Sequence, residues 1–295
     1  MLVPKKITAR VYSQDQWKGC NCSLVVTDNG VVLLDVPPEI DKAKEWKEFA
    51  GTFGTIRYIV NTEFHHDHWI TDSVFSGATC ITHAETYRGM ERMTHEFIRG
   101  RINVLYEKPF DYPDDFERKL PDIAFEGSQL DIRLGGVTLQ LLHVPGHTAG
   151  QLVVYIPEEK VLYSSDAVQH GTRTPFHDAV FTDKWLESLE LINALDFDYL
   201  IPGHGEITCV GKPGGRELIP PTIELVRKAL ALKKAGRLVD GKIPLEINRE
   251  IDPLYDTQPR GLYRSGAVIL TGLNECFETG SHGFLDTSVA GKDSN

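Results

Sequence analysis

Cysteine is scarce: five residues in 295, odd in number and scattered (Cys20, Cys22, Cys80, Cys209 and Cys276). A disulfide framework needs an even, clustered set, so this pattern fits a reducing compartment. Positive charge is also short. There are 31 Lys and Arg against 42 Asp and Glu, a formal net charge of −11. A field of that sign repels phosphate backbones and counts against nucleic acid as a partner. No apolar run approaches the roughly 18 residues that a membrane span needs. Lys5 and Lys6 near the start have no apolar stretch behind them, so no secretory leader is expected. Linkers rich in Pro, Gly or Ser and repeats of fixed period are absent too. The expectation is one domain, residues 1–295, in the cytoplasm, without membrane or nucleic-acid partners. A homo-oligomer stays open.

What is present is an ordinary globular mixture, 41% hydrophobic and 25% charged. Residues 23–35 read as two strands around an Asn29-Gly30 turn. A helix is expected over about 39–51, a strand over 57–61, and a helix over about 84–101. Residues 101–124 are rich in Pro and Asp and read as loop. Strands return at 129–134, 137–144, 152–156 and 161–164. A helix over 184–195, a strand over 198–201 and a helix over 221–235 follow. The core is thus expected over about 8–235, with an insert at about 84–125 and a C-terminal extension at about 236–295.

Four segments put acids or histidines in a loop directly after an apolar strand. They are Asn61 to His68, Pro145-Gly146-His147, Ser164-Ser165-Asp166 and Pro202-Gly203-His204. Loops at strand ends are where a rigid scaffold presents a site. Imidazole and carboxylate are ligands that borderline divalent metals accept. Singly, each segment is weak, because a lone His in a Pro-Gly loop is usually a turn residue. Glu63, His65, His66, Asp67 and His68 crowded together are different. So many groups that are costly to desolvate suit cations better than a core.

The four segments, in this order, resemble the metallo-β-lactamase superfamily, whose hallmark is His-x-His-x-Asp-His, then a distant His, an Asp and a final His. The matching positions read Glu63-x-His65-x-Asp67-His68, His147, Asp166 and His204. The resemblance runs from about Ser23 to Gly205. One position departs: Glu63 stands where the family has its first His. Slipping the register to His66 and His68 fails, because Trp69-Ile70 then replaces Asp-His.

The resemblance implies an α/β fold, the four-layer αβ/βα sandwich, and two divalent metal ions, Zn²⁺ first, with Mn²⁺ or Fe²⁺ as alternatives. Glu63, His65 and His147 would hold the first; Asp67, His68 and His204 the second; Asp166 would bridge. Asp67 would also be the catalytic residue. Water acidified by both cations would attack a small-molecule ester, lactone, thioester or amide. The alternative is an iron oxygenase or sulfur dioxygenase on the same fold. Two dications less Asp67, Asp166 and a hydroxide would leave one positive charge; Glu63 would cancel it and make the centre a poorer magnet for anions. Its rival role is general base beside a weak or empty first site.

Other residues carry plainer expectations. His66 reads as surface or outside the ligand set, and His83 as structural. Trp69 is core or pocket wall. His170, Arg173 and His177 read as loop residues bordering the metals. Met90, Met93, Phe97, Tyr106 and Phe110 read as packing in the insert. Tyr255, Arg260, Tyr263 and Arg264 either complete the pocket or form a dimer contact.

Overall fold

Alternation along the strands explains the layers. A computed structural model describes residues 2–106, 108–171, 179–180 and 182–237. The C-terminal extension lies outside them from residue 238 on, with Tyr255, Arg260, Tyr263 and Arg264. So do Arg173 and His177. The first sheet holds β1 (Lys5–Lys6), β2 (Val11–Gln14), β3 (Cys22–Thr27), β4 (Gly30–Leu34), β5 (Ile56–Val60), β6 (Thr79–His83) and β7 (Ile123–Phe125), in that spatial order. Strands β1 to β4 run antiparallel, whereas β4 to β7 run parallel. In β3 and β4, Val25, Val32 and Leu34 face one side, and Leu24, Val31 and Leu33 the other. That is the two-residue period of a strand buried on both faces.

The second sheet has the order β12 (Tyr199–Pro202), β11 (Val161–Ser165), β10 (Leu152–Ile156), β9 (Val137–His143) and β8 (Gln129–Leu134). Its inner face brings Leu139, Leu141, Leu152, Val154 and Tyr163 against Val25, Val32, Leu34, Val60 and Ile81 of the first sheet. Helix α1 (Ile40–Gly51) covers the outer face of the first sheet with Ala43, Trp46 and Ala50. Helices α4 (Asp183–Ala194) and α5 (Ile219–Lys234) cover the second with Trp185, Leu189, Ile192, Ile223 and Val226. The result is the expected αβ/βα sandwich.

Residues 84–125 differ in detail from the sequence reading. The expected single helix is broken into α2 (Ala84–Arg92) and α3 (His95–Leu105). The Thr94 hydroxyl accepts from Phe97 N–H and restarts the helix as a cap. The end of the segment is β7, a parallel edge strand on β6, where a loop was expected. Its three residues are too few to announce a strand by alternation. The insert has its own core of Met90, Met93, Ile98, Ile102 and Tyr112, packed on Trp69 and Ile70. Trp69 is fully buried there and donates from Nε1 to the Phe64 carbonyl at 2.7 Å, which settles it as core.

His83 is structural, as expected. It ends β6, accepts from Glu85 N–H through Nδ1 at 3.2 Å, and stacks on His143 of β9 with centroids 3.7 Å apart. The stack joins the two sheets at one rim. Burial first, then His143, lowers the His83 pKa to about 4 from the ordinary 6.5. The unfolded chain therefore binds a proton that the folded one resists. His83 supports folding fully above about 6.5, and that support fades as the pH falls towards about 4. Wild type is expected to lose on the order of 2 kcal/mol more stability than His83→Gln across that window. Denaturant titrations at pH 7 and pH 4.5 measure the difference; equal losses would contradict it.

Candidate metal centre

All four segments end strands at the same rim of the sandwich. After β5, Thr62 N–H donates to Asp35 Oδ1 at 2.8 Å, and residues 66–68 form one 3-10 turn. The His68 carbonyl receives Val36 N–H at 3.0 Å, fixing that turn to the end of β4. After β9, Gly146 packs its backbone against the Trp185 ring, where a Cβ would collide. After β11, Ser165 takes φ +45°, a left-handed turn that an L-residue adopts at a cost. After β12, Gly203 lies against Asp166, and Gly205 has φ +85° with the His170 carbonyl where a Cβ would stand. The Pro-Gly-His pattern is thus a pattern of close backbone approach, which only glycine allows.

These turns bring all seven expected residues together. Glu63, His65 and His147 place ligand atoms within 4.8 Å of one another, and so do Asp67, His68 and His204. Asp166 lies between the sets. Its Oδ1 is 3.6 Å from His68 Nε2, and its Oδ2 is 3.5 Å from His147 Nε2 and 3.3 Å from His204 Nε2. Glu63 Oε1 lies 2.8 Å from His65 Nδ1 and 3.1 Å from His68 Nε2. The side chains of Glu63, His68 and His147 are closed off from solvent, whereas those of His65, Asp67 and His204 keep 10, 12 and 15% exposure. The mouth is therefore on the side of those three.

The electrostatics follow from burial and facing charges. Burial alone would raise the Glu63 carboxyl, but the facing imidazoles of His65, His68 and His147 hold it below its usual range. Asp67, against burial, is brought down to about 2, chiefly by His68, His66 and His204. Asp166 lies well below its range, with His204 and His68 overcoming burial. His68 is opposed by burial yet raised well above its usual value by Asp35, Glu63 and Asp166. Three ionised carboxylates thus hold positive charge in a closed space. The donors fit divalent cations by direct observation. His68 Nε2 is buried and makes no hydrogen bond, although carboxylate oxygens surround it. A divalent cation would satisfy such a nitrogen.

A match to the family model of the metallo-beta-lactamase superfamily spans residues 15–204, well over half of the chain and all seven residues. The chain belongs to the metallo-β-lactamase superfamily. Within this superfamily it is 26% identical over 246 residues to the linear primary-alkylsulfatase of a Pseudomonas species, covering 70% of this chain and 44% of that protein. It is 26% identical over 193 residues to the Beta-lactamase-like protein 2 homolog of Caenorhabditis elegans, covering 64% and 57%. The chain spans about half the length of the curated relatives it matches. A solved metallo-beta-lactamase from Pontibacter korlensis shares the fold with TM-score 0.60 at 19% identity, over 77% of this chain and 99% of that one.

One point departs from the sequence reading, and another is decided between its two alternatives. His66 is buried rather than at the surface, 2% exposed, outside the ligand groupings and set edge-on to the Tyr106 ring with centroids 6.2 Å apart. Burial brings its pKa to about 4, so it is neutral. Asp35 was missed as part of the site. Its Oδ2 receives His68 Nδ1–H at 2.8 Å, the Thr62 hydroxyl at 2.6 Å and the Tyr163 hydroxyl at 2.8 Å. A carboxylate behind a ligating His fixes its tautomer and raises its basicity. Asp35 also stands in a turn directly after an apolar strand, the signal that found the other four segments. The Asn29-Gly30 hairpin drew the reading of that stretch instead. Among the described residues, no helix is long and apolar enough to cross a membrane.

Proposed function

We propose that this protein is a metal-dependent hydrolase of uncharged small-molecule esters, lactones, thioesters or amides. One observation carries the reading: seven side chains with metal-ligand chemistry converge at a strand-end rim, with one open side. Glu63, His65 and His147 would hold one cation and Asp67, His68 and His204 a second, with Asp166 between. When bound, such cations acidify water and polarise the bond to be broken.

The chain's own residues supply the rest. Asp67, ionised and at the mouth, would orient an attacking water through a carboxylate oxygen. Gln169 donates from Nε2 to Asp166 Oδ2 at 2.9 Å and steadies that carboxylate. Asp35 holds the His68 ring through Nδ1, so that Nε2 faces inward. Glu63, Asp67 and Asp166 together would offset three of the four positive charges of two dications and a hydroxide the fourth, leaving little pull on an anionic substrate. Zn²⁺ leads as the metal. The carboxylate-rich donors also support a second reading, an iron oxygenase or sulfur dioxygenase. A small-molecule substrate and a cytoplasmic site of action belong to the same proposal.

Kinetics on matched probes test it. With Zn²⁺, Mn²⁺ or Fe²⁺ supplied, an uncharged aryl ester or lactone is expected to turn over about five-fold or more faster in kcat/KM than an aryl sulfate, since a single charge contact is worth about 1 kcal/mol or more. Faster sulfate cleavage would overturn the charge reading. Activity confined to the Fe²⁺ form and consuming oxygen would favour the redox alternative.

A further inference from the structure

Glu63 does more than stand in for a histidine. Its two oxygens have separate tasks. Oε2 accepts the His65 backbone N–H at 3.1 Å, which fixes the carboxylate plane and leaves Oε1 turned into the centre. Oε1 meets nitrogens of both sets: His65 Nδ1 at 2.8 Å and His147 Nε2 at 3.9 Å from the first, His68 Nε2 at 3.1 Å from the second. Glu63, His68 and Asp166 also place ligand atoms within 4.8 Å of one another, a grouping that cuts across the two sets. The side chain is fully enclosed, so water does not compete for that oxygen.

We propose that Glu63 bridges the two cation positions through Oε1, making a centre joined by two carboxylates, Glu63 and Asp166. A neutral imidazole has one lone pair facing a metal and serves one ion. A carboxylate oxygen has lone pairs for two. The Glu-for-His exchange therefore adds a link between the sites as well as a charge. Two anionic oxygen bridges favour hard ions such as Mn²⁺ and Fe²⁺ beyond what one carboxylate does. Each site then depends on the same side chain, so damage at position 63 spreads to both. The inference rests on the two-metal reading above.

The test uses the full chain, stripped with chelator and titrated with Mn²⁺, with ions counted by elemental analysis and their exchange coupling read by electron paramagnetic resonance. Glu63→Asp keeps the charge and shortens the reach by one methylene, so it separates contact from charge. Wild type is expected to take two ions that are magnetically coupled. In Glu63→Asp, both ions should bind about ten-fold or more weakly. Glu63→His restores the superfamily residue and guards against a misfolded first variant; it should bind two ions with visibly reduced coupling. Weakening of one ion alone in Glu63→Asp, or unchanged coupling in Glu63→His, would overturn the bridge while leaving the metal centre standing. Failure of wild type to bind any ion would sink the metal reading, and the bridge with it.

Discussion

Asp166→Ala is expected to lower kcat/KM by about 10²- to 10³-fold, the scale of losing a preorganised transition-state group. The carboxylate faces His68, His147 and His204 at 3.3 to 3.6 Å, so its removal affects both ligand sets at once. It also leaves imidazoles crowded without their counter-charge. The side chain lies over Gly203, where the backbone approaches too closely for a Cβ. Asp166→Asn keeps the shape and removes the charge, and should fall nearly as far. Steady-state kinetics with metal in excess, alongside circular dichroism to verify folding, separate the chemistry from misfolding. A folded Asp166→Ala protein within ten-fold of wild type would contradict the central position given to this residue.

The second large effect belongs to Asp35, which touches no substrate. It takes φ +55°, is fully buried, and receives five groups: Thr62 N–H and the hydroxyl of Thr62, the Tyr163 hydroxyl, His68 Nδ1–H and, at 3.5 Å, the Ser165 hydroxyl. Thr62 and Ser165, each directly before a site carboxylate, also bond each other through their hydroxyls at 2.5 Å. Asp35 is thus where the end of β4 meets the Glu63 loop of one sheet and the Asp166 turn of the other. Asp35→Ala strands these donors in a dry interior. Breaking such a buried charged network costs about 3–5 kcal/mol. Where the variant still folds, metal affinity should drop about 10- to 100-fold, the usual cost of removing the carboxylate behind a ligating His. Chemical denaturation and chelator competition measure the two effects. A variant with wild-type stability and metal affinity would show that Asp35 is incidental.

Much of this architecture was legible because its signals are periodic and local. The two apolar runs of β3 and β4, broken by Asn29-Gly30, mark a hairpin whatever the fold around it. The strand-end motifs carry their own order and spacing, so the seven residues could be named before their distances were known. Other features leave no such trace. The break between α2 and α3 depends on a Thr94 cap inside a helical pattern. Strand β7 exists because β6 offers it an edge, which no local window contains. Asp35 announces itself only through partners up to 130 residues away, such as Ser165 at 3.5 Å. His66 was left between surface and interior for a related reason: the insert that covers it folds over from a distant stretch of chain. Glu63 was legible as a departure, yet its reach to His68 is a matter of side-chain direction in three dimensions.

Elemental analysis of the protein, purified without chelator or oxygen, tests the central claim most directly. Two divalent cations per chain are expected, lost together with thermal stability on chelation and regained on adding Zn²⁺, Mn²⁺ or Fe²⁺. A protein that carries no ion, and whose melting temperature and turnover ignore every divalent cation added, would contradict it.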